Sequence, residues 1–139
     1  VQCFPAEMEK VNRTILETGP PDIQAETDVV GIAHTDVGAL LGEKWRLPVE
    51  YVDVMKCHHA PRSATTNPEL HAIVRFADLL TESWGTGIGE RPESKLFEGD
   101  ESFGMLGEQE PRIKAQGLQD VIARLSERHV GQKSLVGMF

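Results

Sequence analysis

The chain has 139 residues, a length suited to one domain, and its 14 Lys and Arg against 22 Asp and Glu give a formal net charge of −8. This acidic balance argues against nucleic acid as a partner, because a phosphate-binding surface needs clustered Lys and Arg. No apolar run approaches the roughly 20 residues of a membrane-spanning helix, so no membrane partner is expected. The absence of a secretory leader and the two isolated cysteines, Cys3 and Cys57, favour a reduced, cytoplasmic protein.

The spacing of apolar residues predicts an all-α chain of about five to six helices. These helices are expected at about 8–16, 22–30, 34–45, 49–59, 70–84 and 118–128. Gly31 is expected to end the second helix, and Asn67-Pro68 to begin the fifth with a capping side chain and a first-turn proline. No strand-like alternation is evident.

The stretch from Gly85 to about Gly107 is rich in glycine and charge and has little periodicity, which predicts a long surface loop. The expected division is therefore a helical unit at 1–84, a loop or linker at 85–117, and a C-terminal helix and tail at 118–139. The glycine-rich run 84–90 follows a helix and lacks a Lys-Ser/Thr pair, so a flexible helix exit is favoured over a phosphate-binding loop.

His34 is the first of three features that can carry chemistry. At helical spacing it shares a stripe with Val37, Leu41 and Trp45, which predicts that the ring points into the core. Trp45, Leu41 and Val37 are then expected to pack against Ile73, Val74 and Ala77, and Trp45→Ala to cost about 3–5 kcal/mol. The ring itself is either a core histidine with a hydrogen-bond partner or a ligand.

His58 and His59 end the fourth predicted helix and form the second feature. Adjacent helical side chains diverge by about 100°, so the two rings are expected to flank a shared site from two sides. The structural alternative is that one ring caps the carbonyls at the helix end while the other packs on Val52 and Met55.

Asp78 interrupts an apolar run and is the third feature. Its partner is either Arg75, three residues earlier on the same helix, or a metal or histidine across a helix interface. Imidazoles and a carboxylate together form a ligand set suited to Fe, Mn, Zn or Ni, inside a helical bundle. The predicted metal ligands are His34, His58, His59 and Asp78, with side chains converging in one pocket.

This order of motifs resembles the HD phosphohydrolase superfamily, and most closely the HDOD (HD-related output) domain of bacterial signalling proteins. The resemblance spans roughly residues 4–84 and rests on ETDVVGIAHTDVGALLGEKWRLPVEYVDVMKCHHAPR at 26–62 and ELHAIVRFADLL at 69–80. It implies an HD-like helical bundle, and it implies that the N-terminal half of the family domain lies outside this sequence. Catalytic HD proteins carry an earlier histidine and a His-Asp pair, and no histidine precedes His34 here.

The resemblance therefore implies a non-catalytic signalling output or regulatory interaction domain, with no cofactor and with a signalling protein or neighbouring domain as its partner. The alternative is a metal-dependent phosphohydrolase that acts on a nucleotide or cyclic dinucleotide with Fe, Mn, Ni or Zn. A plain structural helical domain remains if both fail.

Overall fold

The computed structural model describes residues 5–18, 22–86 and 96–136, and this part of the chain is all helical, as predicted. It contains a short 3-10 turn, Pro61–Ser63, and a π-helical turn, Glu82–Thr86. The α-helices of the described residues are α1 Pro5–Thr18, α2 Asp22–Val30, α3 His34–Lys44, α4 Val49–Cys57, α5 Pro68–Thr81, α6 Ser102–Gln109, α7 Pro111–Gln116 and α8 Leu118–Val136.

The ends of α2 and α3 follow from local backbone chemistry. Gly31 ends α2 as predicted, with φ at 86° and its N–H donated to the Thr27 carbonyl at 3.0 Å. At the end of α3, the N–H of Leu47 donates to the Gly42 carbonyl at 2.9 Å, while Arg46 takes the left-handed position with φ at 56°. This Schellman-type turn sends the chain back along α3 as α4.

Helices α3 and α4 pack closely through small residues. A Cβ added at Gly42 would lie 3.0 Å from Val52 Cγ2 and 3.3 Å from Met55 Sδ. Thr35 and Ala39 are buried on the same side of α3 as Gly42. The small residues face α4 because only they allow the two backbones to approach this closely.

The predicted inward stripe of α3 is therefore wrong. Val37 and Leu41 are each 39 % exposed and Trp45 is 65 % exposed, because α4 covers the neighbouring, small-residue side of the helix. The side chain of His34, at the edge of that stripe, is also 42 % exposed, so it is not a core histidine.

Helix α5 begins as predicted, with the Asn67 side chain accepting the N–H of Leu70 at 3.2 Å. Its buried face differs from the prediction by one position. Ala72, Phe76 and Leu79 are buried, whereas Ile73 is 47 % exposed. The expected packing of Ile73 against an inward stripe of α3 is consequently wrong as well.

The largest core of the described residues forms around Phe76. The centroid of its ring lies 5.6 Å from that of Phe97 and 5.8 Å from that of Phe103. Trp84 adjoins this core and donates its indole N–H to Ser126 Oγ at 2.8 Å. The buried members of the core are Ala72, Phe76, Leu79, Leu80, Leu96, Phe97, Met105, Leu106, Val121 and Ile122.

This core shows that the predicted surface loop is wrong for residues 96–107. Leu96, Phe97, Met105 and Leu106 are buried, and α6 occupies 102–109. Glycines at 99, 104 and 107 hide the helical periodicity in the sequence. Residues 87–95 lie outside the described part, and the division into 1–84, 85–117 and 118–139 stays a prediction.

A smaller core joins the first two helices and consists of Val11, Ile15 and Ala25, with Met8, Val29 and Val30 packed against it. Within the described residues no helix combines the length and apolar character needed to cross a membrane.

Candidate functional site

Three of the four predicted ligands lie together where α3 begins and α4 ends. His34 is the first residue of α3, and His58 and His59 follow directly after α4. The Nε2 atom of His34 lies 3.2 Å from His58 Nε2 and 3.1 Å from His59 Nε2. One ligand atom from each of the three histidines lies within 4.8 Å of those of the others. Three imidazoles so arranged form a possible metal site.

Glu26 fixes the orientation of His34. Its carboxylate oxygen Oε2 accepts the backbone N–H of His34 at 2.8 Å and the ring Nδ1–H at 2.7 Å. Glu26 is buried, and its charge lies at the N-terminus of α3, where a carboxylate is favourable. When the ring is neutral and Nδ1 donates its proton to Glu26, Nε2 of His34 carries a lone pair.

His58 caps the end of α4 and faces the cluster at the same time. Its Nδ1–H donates to the carbonyls of Val54 and Met55, each at 3.1 Å. The capping role expected as the structural alternative is thus seen at His58, and Nε2 of the same ring faces His34. Nε2 of His58, like that of His34, carries a lone pair.

His59 has a different partner, the guanidinium of Arg75, whose Nη1 lies 3.2 Å from His59 Nδ1. A guanidinium has donors and no acceptor, so Nδ1 of His59 accepts this hydrogen bond. The ring proton of neutral His59 is then on Nε2, and it is directed at Nε2 of His34, 3.1 Å away. The proton positions of His58 and His59 follow from the partners of Nδ1 in each ring.

Asp78 is outside this group. Its Oδ2 accepts from Arg75 Nη1 at 3.0 Å, and its side chain is 43 % exposed. Arg75 also donates from Nε to Asp100 Oδ2 at 2.8 Å. Of the two partners expected for Asp78, the structure shows Arg75 on the same helix. Arg75 in turn contacts His59.

The surroundings favour the neutral forms of His58 and His59. Burial, followed by the charges of His58 and Arg75, lowers the pKa of His59 from 6.5 to about 4. Burial, followed by His34, also lowers the pKa of His58. Both rings are consequently uncharged near neutral pH, which is the form that binds metals.

The sequence analysis misses a second buried polar pair, Asp53 and His71, which connects α4 to α5. Asp53 Oδ2 accepts the backbone N–H groups of Thr65 and Thr66 at 2.9 and 2.7 Å. Burial raises the pKa of Asp53, but the hydrogen bonds from Thr66 and Thr65 outweigh it and lower the value to about 2. His71 is fully buried, with Nδ1–H donating to the Asn67 carbonyl at 2.9 Å and Nε2 lying 3.4 Å from Asp53 Oδ2. The sequence feature that could have indicated this pair is Asp53 itself, a charged residue between Val52 and Val54 in α4.

The predicted ligands fit a divalent metal only in part. His34 and His58 direct lone pairs into the cluster and have the outer hydrogen bonds typical of metal-binding histidines. His59 directs an N–H into it, and Asp78 is paired with Arg75. With these contacts the four residues do not fit a metal as a set, and their role as ligands stays a prediction.

Comparison with known proteins supports the family resemblance over the first part of the chain. Residues 1–61 match the family model of the HDOD domain. An uncharacterized protein of Treponema pallidum (strain Nichols) is 26 % identical over 119 residues, which are 84 % of this chain and 23 % of that protein. The chain thus spans about a quarter of the length of this relative. No solved structure matches the chain. The stretch that matches the HDOD model contains the three clustered histidines and ends just after them.

Proposed function

We propose that the chain is a non-catalytic signalling output or regulatory interaction domain of a bacterial signal-transduction protein. It relays a state by contact with a signalling protein or with a neighbouring domain, in the cytoplasm. The observation that carries the proposal is an exposed apolar surface within the stretch that matches the HDOD model. We call this the α3–α4 apolar surface, and it consists of Val37, Leu40, Leu41, Trp45, Val49 and Tyr51.

The composition of this surface is that of a contact region. Trp45 is 65 % exposed, and Leu40 and Tyr51 are each 59 % exposed. Exposed apolar side chains grouped on neighbouring helices mark interaction sites in soluble proteins, and Trp and Tyr are enriched where binding energy concentrates. On α3 these residues lie on one face, beside the face that packs on α4; they are Val37, Leu40, Leu41 and Trp45.

The state of the histidine cluster supports the absence of catalysis. Metal-assisted hydrolysis needs a complete ligand set and an open position for water. Here one imidazole directs a proton inward and the carboxylate is paired with Arg75. The greater length of the Treponema relative supports a neighbouring domain as the partner.

Site-specific photo-crosslinking in the source organism tests the interaction. A photoreactive phenylalanine analogue is placed at Trp45 or Tyr51, and the matched control carries it at Val130, an apolar residue of α8 that is 66 % exposed. We expect a discrete cross-linked species from positions 45 and 51 and none from position 130. Equal cross-linking at all three positions, or none at 45 and 51, would contradict the proposal.

A metal-dependent phosphohydrolase is the second candidate function, and the convergence of three imidazoles favours it. Turnover assays on nucleotides and cyclic dinucleotides, with Mn, Fe or Ni added, separate the two. The interaction function predicts no turnover. Turnover that is lost in His58→Ala would establish the hydrolase and overturn the non-catalytic function.

A further inference from the structure

Arg75 lies between the histidine cluster and the large core. Its guanidinium contacts His59 and Asp78 through Nη1 and Asp100 through Nε. The side chains of Arg75 and Asp100 are only 16 % and 11 % exposed, so this ion pair is largely shielded from water. Asp100 is itself held by the N–H of Ser102 at 2.9 Å, at the start of α6. Arg75 is therefore fixed by contacts that do not depend on the histidines.

This fixed guanidinium decides which nitrogen of His59 carries the proton. Arg75 can only donate, so a proton on His59 Nδ1 would place two donors face to face. The proton is therefore held on Nε2, directed at His34. Asp78, the remaining predicted ligand, is held by the same Nη1 group.

In its neutral form His34 offers one lone pair at Nε2, and the N–H of His59 is directed at it from 3.1 Å. A metal ion at the cluster has to compete with this hydrogen bond for the same electron pair. His58 Nε2 adds a second lone pair 3.2 Å from His34 Nε2, so a cation retains some attraction to the cluster. The balance between proton and metal consequently depends on Arg75.

We propose that Arg75 is the residue that keeps the His34–His58–His59 cluster closed by an N–H···N hydrogen bond and prevents it from binding a divalent metal. This inference rests on the non-catalytic function proposed above, for which it supplies the physical cause. Arg75 acts through His59 and is a positioning residue.

Metal titration of the intact 139-residue chain tests the role of Arg75. In Arg75→Gln the amide oxygen can accept a proton from His59 Nδ1, which frees Nε2 to bind an ion. We expect Arg75→Gln to bind Zn²⁺ or Co²⁺ about 10- to 100-fold more tightly than the wild type, the range of an altered outer hydrogen bond at a metal site. The matched control is Arg13→Gln, which makes the same charge change at a 63 % exposed arginine of α1 and leaves metal affinity unchanged. Adding His34→Ala to Arg75→Gln should remove the gain.

A second measurement needs no variant. Long-range ¹H–¹⁵N correlation spectra of the histidine rings report which nitrogen carries the proton. In the wild type we expect it on Nε2 of His59 and on Nδ1 of His34 and His58. A proton on Nδ1 of His59, or equal metal affinity in Arg75→Gln and the wild type, would overturn the inference.

Failure of this inference is distinguishable from failure of the proposed function. Tight metal binding by the wild type without turnover overturns the role of Arg75 and leaves the interaction function intact. Absence of cross-links at the α3–α4 apolar surface, with the ring protons placed as stated, overturns the interaction function alone.

Discussion

Two regions of the described chain, α3–α4 and α5–α8, use their apolar residues in opposite ways. In α5, α6 and α8, large side chains such as Phe76, Met105 and Ile122 are buried in one shared core. In α3 and α4, by contrast, small residues make the helix contact while Trp45 and Tyr51 are exposed. Helices α3 and α4 therefore present apolar residues outward, whereas α5, α6 and α8 supply the largest core of the described residues.

This difference teaches that an apolar stripe on a helix identifies a surface that will be covered, but not what covers it. In α5 the covering elements belong to this chain. In α3 the helix partner is set by Gly38 and Gly42, and the stripe beside them remains available to another protein or domain. The histidine cluster lies where the two regions meet, at the contact between His59 and Arg75.

Removal of a large core side chain should produce the largest effect. Phe76→Ala leaves a cavity between Phe97 and Phe103, and we expect the free energy of unfolding to fall by about 3–5 kcal/mol. Urea unfolding followed by circular dichroism measures this change. A loss below about 1 kcal/mol would show that α5 and α6 do not form the main core.

The hydrogen bonds of Asp53, which lies where α4 meets α5, should make the next largest contribution to the free energy of unfolding. Asp53→Ala removes the acceptor for the N–H groups of Thr65 and Thr66, and we expect a loss of about 2–4 kcal/mol from two backbone donors left unpaired. Asp53→Asn, which keeps one acceptor oxygen, is the control and should lose less. Equal losses in the two variants would contradict this role for the carboxylate.

The histidine cluster should make the protein sensitive to acid. Because burial, His58 and Arg75 lower the pKa of His59 from 6.5 to about 4, the unfolded chain binds the proton first as the pH falls. Stability is fully present above pH 6.5 and is lost as the pH falls toward 4. The ring is partly solvent-exposed, so screening reduces the expected loss to about 1–2 kcal/mol.

Comparison of the wild type with His59→Gln, unfolded in urea at neutral pH and near pH 4.5, isolates this contribution. The variant lacks the titrating ring, so its stability should fall less over the same interval. A larger fall in His59→Gln than in the wild type would contradict the assignment.

The smallest effect on stability is expected at the α3–α4 apolar surface. Because Trp45 is 65 % exposed, Trp45→Ala should change the free energy of unfolding by less than about 1 kcal/mol. A loss of 3 kcal/mol or more would show that Trp45 belongs to the core, and the contrast between the two regions would disappear.

Local patterns predicted the start and end of many helices correctly. Gly31, with its left-handed backbone after α2, and Asn67, the cap of α5, lie at the predicted helix boundaries. These signals could be read from the sequence because they involve only neighbouring residues. The choice of buried face could not be predicted in the same way. For α3 it depends on a glycine contact with Met55 and Val52, residues about ten positions further along the chain.

The candidate site shows the same division. Family motifs identified His34, His58 and His59, and the structure brings these three together. Asp78 was assigned to the cluster because its nearest partner could not be chosen from sequence alone, and the contact between Arg75 and Asp100 spans 25 residues. α6 was missed because glycines interrupt its apolar spacing.

Amide hydrogen exchange of the intact chain tests the contrast between the two regions most directly. Exchange rates report the free energy of local opening for each helix. If the main core lies in α5, α6 and α8, amides in the middle of α5 should exchange at least about tenfold more slowly than those in the middle of α3 and α4. Equal protection of α3, α4 and α5 would contradict the account, because the α3–α4 hairpin would then share the core rather than present a surface to a partner.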